Sequence, residues 1–145
     1  MRYTVEIDID LPRAKVIELF DNPDNMKYWQ KGFISLEHIS GEPGREGARS
    51  RLKYKMGNRE IEMIETITKR NLPDEFSGTY ETQGVWNLNK NYFLEPSPGS
   101  TRWRADIEFK FNGFMKVIAF LIPGSFKKQS LTYMKDFKTF AEMTS

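Results

Sequence analysis

The chain has 145 residues, 39% of them hydrophobic and 14% aromatic, with eleven phenylalanines. That suffices for one domain, residues 1–145, with a single substantial core, and is too apolar for a disordered segment. The 22 Lys+Arg and 20 Asp+Glu are interspersed and leave a formal net charge of +2, which argues against a nucleic-acid surface, and the lack of cysteine excludes disulfides, thiolate catalysis and cysteine-based zinc sites.

In chain order, Tyr3, Val5, Ile7 and Ile9 alternate with Thr4, Glu6, Asp8 and Asp10, the pattern of a half-buried strand. No apolar signal-peptide run is found here, so the expected location is the cytoplasm. Pro12 suits the first turn of a short helix whose apolar stripe is Val16, Leu19 and Phe20. Asn22 can cap a second short helix that Pro23 starts and Gly32 stops, and Trp29 at its end is expected to pack the short helices on a sheet.

Six strand-like segments follow. In "FISLEHIS" the alternation is lost at His38–Ile39, so the only histidine is either a general base facing inward or a surface residue. "ARSRLKYKM" and "REIEMIETITKR" flank Gly57-Asn58, a two-residue hairpin turn. That turn places Lys55 opposite Glu60 and Lys53 opposite Glu62 outside, with Tyr54 opposite Ile61 and Leu52 opposite Met63 inside; charge pairing and apolar pairing support the same register. Strict alternation then puts Glu65 inside opposite Ser50, where burial would raise its pKa. A β-bulge at Met63–Ile64 would instead turn it outward.

"EFSGTYE" and "VWNLNKNYFLE" form another hairpin. A Thr82-Gln83-Gly84 loop places Tyr80 opposite Trp86 and Gly78 opposite Leu88, with Trp86, Leu88, Lys90, Tyr92 and Leu94 inward. Asn87, Asn89 and Asn91 then form a solvated outer face. An inward Lys90 would pair with Glu65 or an anionic ligand head; near a strand end it would snorkel to water. "TRWRADIEFKF" is the longest strict alternation, with Trp103, Ala105, Ile107, Phe109 and Phe111 inward.

Asn112 can cap a helix in which only Lys116 is polar between Phe114 and Ile122. This run is shorter than the about 20 residues a membrane span needs, and Pro123 should kink or break it. Ser125 can cap a second stretch with Phe126, Ser130, Tyr133, Met134, Phe137 and Ala141 on one stripe.

A meander this wide should curl, leaving a concave apolar face for the terminal helix to cover. The order of elements resembles the helix-grip superfamily of START, polyketide-cyclase and birch-pollen-allergen-like domains, often called SRPBCC. The likeness covers essentially the whole chain. It rests on "LPRAKVIELFDNPDNMKYW", "GEPGREGARSRL", "RNLPDEFSGTY", "GSTRWRADIEF" and the Pro-interrupted final helix. It implies an α+β helix-grip fold: a curved seven-stranded antiparallel sheet wrapped around a long C-terminal helix kinked or broken at Pro123, with two short helices between the first two strands. It also implies a deep, mostly apolar cavity between sheet and helix. Members bind lipids, sterols, hormones or polyketides there, and a few act on them as enzymes.

The expected function is binding, transport or sequestration of a hydrophobic or amphipathic small molecule. Expected wall residues are Leu52, Tyr54, Tyr80, Trp86, Leu88, Trp103, Ile107 and Phe109 from the sheet, and Val117, Leu121, Ser130, Met134 and Phe137 from the helical part. The alternative is a cyclase or dehydratase-type enzyme using Glu65, Lys90, Tyr54 and Tyr80. No phosphate loop, metal spacing or nucleophilic triad occurs, so no cofactor and no metal are expected. The Phe114–Ile122 helix should close the cavity with one side; short helices, a membrane surface or a second subunit would cover the other.

Overall fold

The computed structural model describes residues 1–144. The elements run β1 (Arg2–Ile9), α1 (Arg13–Phe20), α2 (Met26–Trp29), β2 (Phe33–Ser40), β3 (Arg49–Met56), β4 (Arg59–Asn71), β5 (Glu75–Thr82), β6 (Val85–Ser97), β7 (Ser100–Phe111), α3 (Phe114–Leu121) and α4 (Pro123–Thr144). One antiparallel sheet has the order β1-β7-β6-β5-β4-β3-β2, so the first strand joins the last and β2 forms the far edge.

Local chemistry sets many of these boundaries. The Asn22 side chain accepts a hydrogen bond from the Asp24 amide at 3.0 Å, capping the 3-10 turn Pro23–Asn25 that leads into α2. The β3–β4 hairpin has the expected register throughout, including Lys55 opposite Glu60 and Tyr54 opposite Ile61. No bulge interrupts Met63–Ile64. β4 does bulge, but beyond Glu65, between Ile67 and Lys69.

The hydrophobic core lies where α1, α2 and α4 close one end of the curved sheet. Phe20 is its hub, with ring centroids 5.0 Å from Phe93, 5.4 Å from Trp103 and 6.1 Å from Trp29. Trp29 also meets Phe137 edge to face at 5.0 Å, so it does pack the short helices against sheet and terminal helix.

Two expectations about direction fail. The β5–β6 turn has two residues, not three: Thr82 pairs with Val85, and Gly84 takes the left-handed conformation at φ +76°. One residue of register reverses every side chain. Trp86, Leu88 and Lys90 therefore point to the convex face, with Tyr92, while Val85, Asn87, Asn89 and Asn91 point into the concavity. The outward rings are covered by cations: Lys110 Nζ lies 4.8 Å from the Trp86 centroid, and the Arg104 guanidinium 4.8 Å from that of Tyr92.

The second concerns α3. It is capped by Gly113 (φ +59°) rather than by the Asn112 side chain, and α4 starts at Pro123 rather than behind a Ser125 cap. Pro at the first helical position needs no amide partner. The chain breaks at Ile122 (φ −132°, ψ 53°). Ala119 is the buried residue of α3, and Met115 packs on Gly84. At about 100° per residue this leaves Val117 and Leu121 on the opposite side. Val117 and Leu121 are exposed to solvent and do not reach the concave sheet face.

Candidate functional site

A cavity of about 460 Å³ lies between the concave face of the sheet and α4. It is within the range of small-molecule sites, and the aromatic cluster bounds one end without filling it. The apolar wall is built from Trp103, Ile107 and Phe109 of β7, Met63 of β4, and Phe126 and Met134 of α4. Alternation on β7 and the 3.6-residue period of α4 turn these side chains toward each other.

The floor is crossed by a polar row. Strand pairing places His38 opposite Ser50, Ser50 opposite Glu65, Glu65 opposite Tyr80, and Tyr80 opposite Asn87, ending at Phe109. All six side chains line the cavity. Adjacent strands stand about 4.8 Å apart, so His38, Ser50, Glu65, Tyr80 and Asn87 form one continuous ridge of hydrogen-bonding groups across the wall.

Glu65 is the centre of this ridge. Burial raises its pKa above the ordinary carboxyl value, and a hydrogen bond from the Tyr80 hydroxyl partly offsets the rise. Burial also raises the Tyr80 phenol well above its ordinary value, as does the neighbouring Glu65 charge. Tyr54 is raised by burial and by the proximity of Tyr133 and Glu65; its hydroxyl donates to Gln30 Oε1 at 2.5 Å. Tyr133 is raised by burial too. The shifts share one direction: burial disfavours the charged form of each of these groups.

The asparagines of β6 extend the polar surface. Asn87 Nδ2 donates to the Glu108 carbonyl at 3.0 Å, and Asn91 Oδ1 accepts from Trp103 Nε1 at 2.9 Å. Asn89, between them, lies opposite Gly78 and Ile107. At the rim, Arg70 makes a bidentate pair with Asp21, both bonds 2.7 Å, tying the end of α1 to β4. Among the described residues, no group of His, Cys, Asp and Glu could hold a metal ion.

Of the expected wall residues, Tyr54, Tyr80, Trp103, Ile107, Phe109, Ser130 and Met134 line the cavity. Ser130 Oγ is engaged by the Tyr3 hydroxyl at 2.8 Å. Leu52 shares the concave face but is sealed in the row between Leu36 and Met63, 1% exposed. Phe137 is fully buried in the aromatic core. Trp86, Leu88, Val117 and Leu121 lie elsewhere, and Lys90 sits on the convex face opposite Ser77 and Asp106, away from Glu65. Sequence reasoning overlooked Asn87, Asn89, Asn91, Gln30, Gln129 and Tyr133 as cavity residues. One signal was available for the asparagines: Val85 and Phe93 lie at the ends of their alternation, so that face begins and ends apolar.

Comparison with known proteins agrees with this architecture. A family model described as polyketide cyclase / dehydrase and lipid transport matches residues 1–136. A conserved protein from Geobacillus kaustophilus superposes with a TM-score of 0.83 at 14% identity, covering 99% of this chain and 97% of that one. A protein from Thermus thermophilus gives 0.78 at 18% identity, covering 100% and 99%. Norcoclaurine synthase from Thalictrum flavum, in complex with dopamine and hydroxybenzaldehyde, gives 0.73 at 12% identity, covering 99% and 86%. These likenesses are of fold. No curated protein matches the chain by sequence.

Proposed function

Since the chain belongs to the polyketide cyclase / dehydrase and lipid transport family of the START/SRPBCC superfamily, we propose that its cavity binds an amphipathic small molecule. The apolar body would lie against Trp103, Ile107, Phe109 and Met134, and a neutral oxygen-bearing group would meet the Glu65–Tyr80 ridge. The observation that carries this reading is an open cavity of about 460 Å³ with a largely apolar wall, crossed by a ridge of polar side chains centred on the buried Glu65 and Tyr80. Burying about 300 Å² of apolar ligand surface contributes roughly 7 kcal/mol before the costs of association. Micromolar affinity needs about 8 kcal/mol net, so hydrogen bonds from the ridge decide which ligand is retained.

The test is native mass spectrometry of the purified protein, with titration of the amphipathic dye 1-anilinonaphthalene-8-sulfonate. A retained small molecule, or saturable dye binding abolished by Asn89→Phe in a variant that still melts cooperatively, supports the reading. The Asn89 side chain makes no hydrogen bond among the described residues, so the larger ring fills space without breaking a network. No retained molecule, with dye binding unaltered by the variant, overturns it.

A second reading is favoured by one observation, the meeting of Glu65 and Tyr80 in the cavity. A protonated carboxyl beside a phenol can protonate a carbonyl oxygen while the second group orients it, the arrangement a cyclisation or dehydration needs. Lys90 has no part in it. Cyclisation of a linear β-triketone, followed by ultraviolet absorbance, tests it: turnover lost in Glu65→Gln supports the reading, and no turnover by the unaltered protein overturns it.

A further inference from the structure

Helix α3 presents an apolar face to solvent. Phe114 is 75% exposed, Val117 53%, Phe120 84% and Leu121 69%, with Ile122 at 48% just beyond. At about 100° per residue these helical positions share one side, opposite Met115 and Ala119. Scattered exposed apolar residues are ordinary; five large ones gathered on one eight-residue helix and its end are not.

The chain segment that carries this face has charges of one sign. Residues 109–135 contain five lysines and no aspartate or glutamate, within a chain whose total charge is only +2. Lys116 lies on α3 itself, and Lys127 and Lys128 lie in the early turns of α4, all exposed. A symmetric contact with a second copy would bring two such lysine-rich segments together, which costs energy. An anionic surface complements them. The helix is far too short to span a bilayer, and none of the described helices is long and apolar enough to do so. An apolar face edged by lysines is what lies flat at a bilayer interface.

We propose that α3 docks the protein on anionic phospholipid membranes, inserting Phe114, Val117, Phe120 and Leu121 among the acyl chains while Lys116, Lys127 and Lys128 meet the headgroups. This contact goes beyond ligand binding and does not depend on it. The geometry does place the two side by side. Met115 packs on Gly84 in the β5–β6 turn, whose flanking residues Thr82 and Val85 line the cavity, and Phe126 at the start of α4 lines it too. A docked α3 therefore brings that end of the cavity to the bilayer.

Co-sedimentation of the full chain with vesicles of phosphatidylcholine alone, and of phosphatidylcholine with 30% phosphatidylglycerol, tests the proposal. Binding to the anionic vesicles is expected, weakening as salt rises. Phe120→Asp, at a position too exposed to affect folding, should reduce it at least tenfold, since a partitioned Phe contributes about 1.5–3 kcal/mol. The double variant Lys127→Glu, Lys128→Glu should reduce it by more than tenfold, from about 1 kcal/mol per basic residue near the surface. Circular dichroism melts confirm that the variants fold. No binding to anionic vesicles, or binding unchanged in Phe120→Asp, overturns the proposal. So does a dimer, seen by light scattering, that Phe120→Asp dissociates in a protein that ignores vesicles, because α3 would then be covered by a second copy.

Discussion

Glu65 and Tyr80 face each other across β4 and β5, and both side chains point into the cavity. Neither favours its charged form there, because burial penalises the carboxylate and phenolate alike and each charge would disfavour the other. The pair gives the cavity polar contacts at which burial disfavours a fixed charge.

Stability should depend on pH through Glu65. Its folded pKa lies above the unfolded value, so between the two the native state holds a proton that the unfolded chain has released. The contribution is therefore complete below the unfolded value near 4.5 and falls as pH rises through the folded value. Glu65→Gln removes this slope. Urea titrations at pH 4 to 8 should show the variant gaining on the unaltered protein as pH rises, and a constant difference across that range would refute a buried Glu65.

Tyr54→Phe should cost about 1 kcal/mol in urea unfolding, because the lost hydroxyl is a donor to Gln30 Oε1 in a part-buried site. The ring stays, with its edge-to-face contact to Phe33 at 5.8 Å. A cost above about 3 kcal/mol would mean that the ring itself had moved.

Two glycines should respond oppositely to alanine. At Gly84, φ is +76° and a Cβ would come within 3.0 Å of Met115 Cγ and 3.2 Å of the Asn112 carbonyl. Gly84→Ala should destabilise by more than about 1 kcal/mol. Gly124 lies in the first turn of α4 with nothing within 4 Å of an added Cβ, and Gly124→Ala should stabilise by roughly 0.5–1 kcal/mol. Thermal melts of the two variants check both signs.

Phe137 and Phe120 separate core from surface. Phe137 is fully buried against Trp29 and Trp103, and Phe137→Ala should cost about 3–5 kcal/mol. Phe120 is 84% exposed, so Phe120→Ala should change stability by less than about 0.5 kcal/mol. Equal costs would show that α3 packs on the body of the protein in solution.

Much of the site could be read from the residues. On β3 and β4, charge pairing outside, apolar pairing inside and the Gly57-Asn58 turn all specified one register, but the direction of Glu65 stayed open, because a bulge at Met63–Ile64 would have turned it outward; the bulge lies instead between Ile67 and Lys69. On β7, strict alternation placed Trp103, Ile107 and Phe109 correctly. β6 was misread because each of its faces mixes polar and apolar residues, and Trp86, Leu88 and Tyr92 made the wrong face look like the core. The usual rule that the more apolar face turns inward fails on this strand: Asn87 and Asn91 are satisfied by the Glu108 carbonyl and the Trp103 indole, while the outward Trp86 and Tyr92 rings are covered by Lys110 and Arg104.

Sequence by itself determined the number of the strands and their order along the chain, the break between α3 and α4, and the inward faces of β1, β3, β7 and α4, because periodicity and turn chemistry act locally. Only the tertiary structure decided which face of β6 floors the cavity, since that depends on one residue of register closed by a glycine packed under Met115 of a distant helix. It also decided the direction of α3. A helix apolar nearly all round carries no periodic signal, and only the neighbours it meets determine which residues it buries and which it offers to solvent.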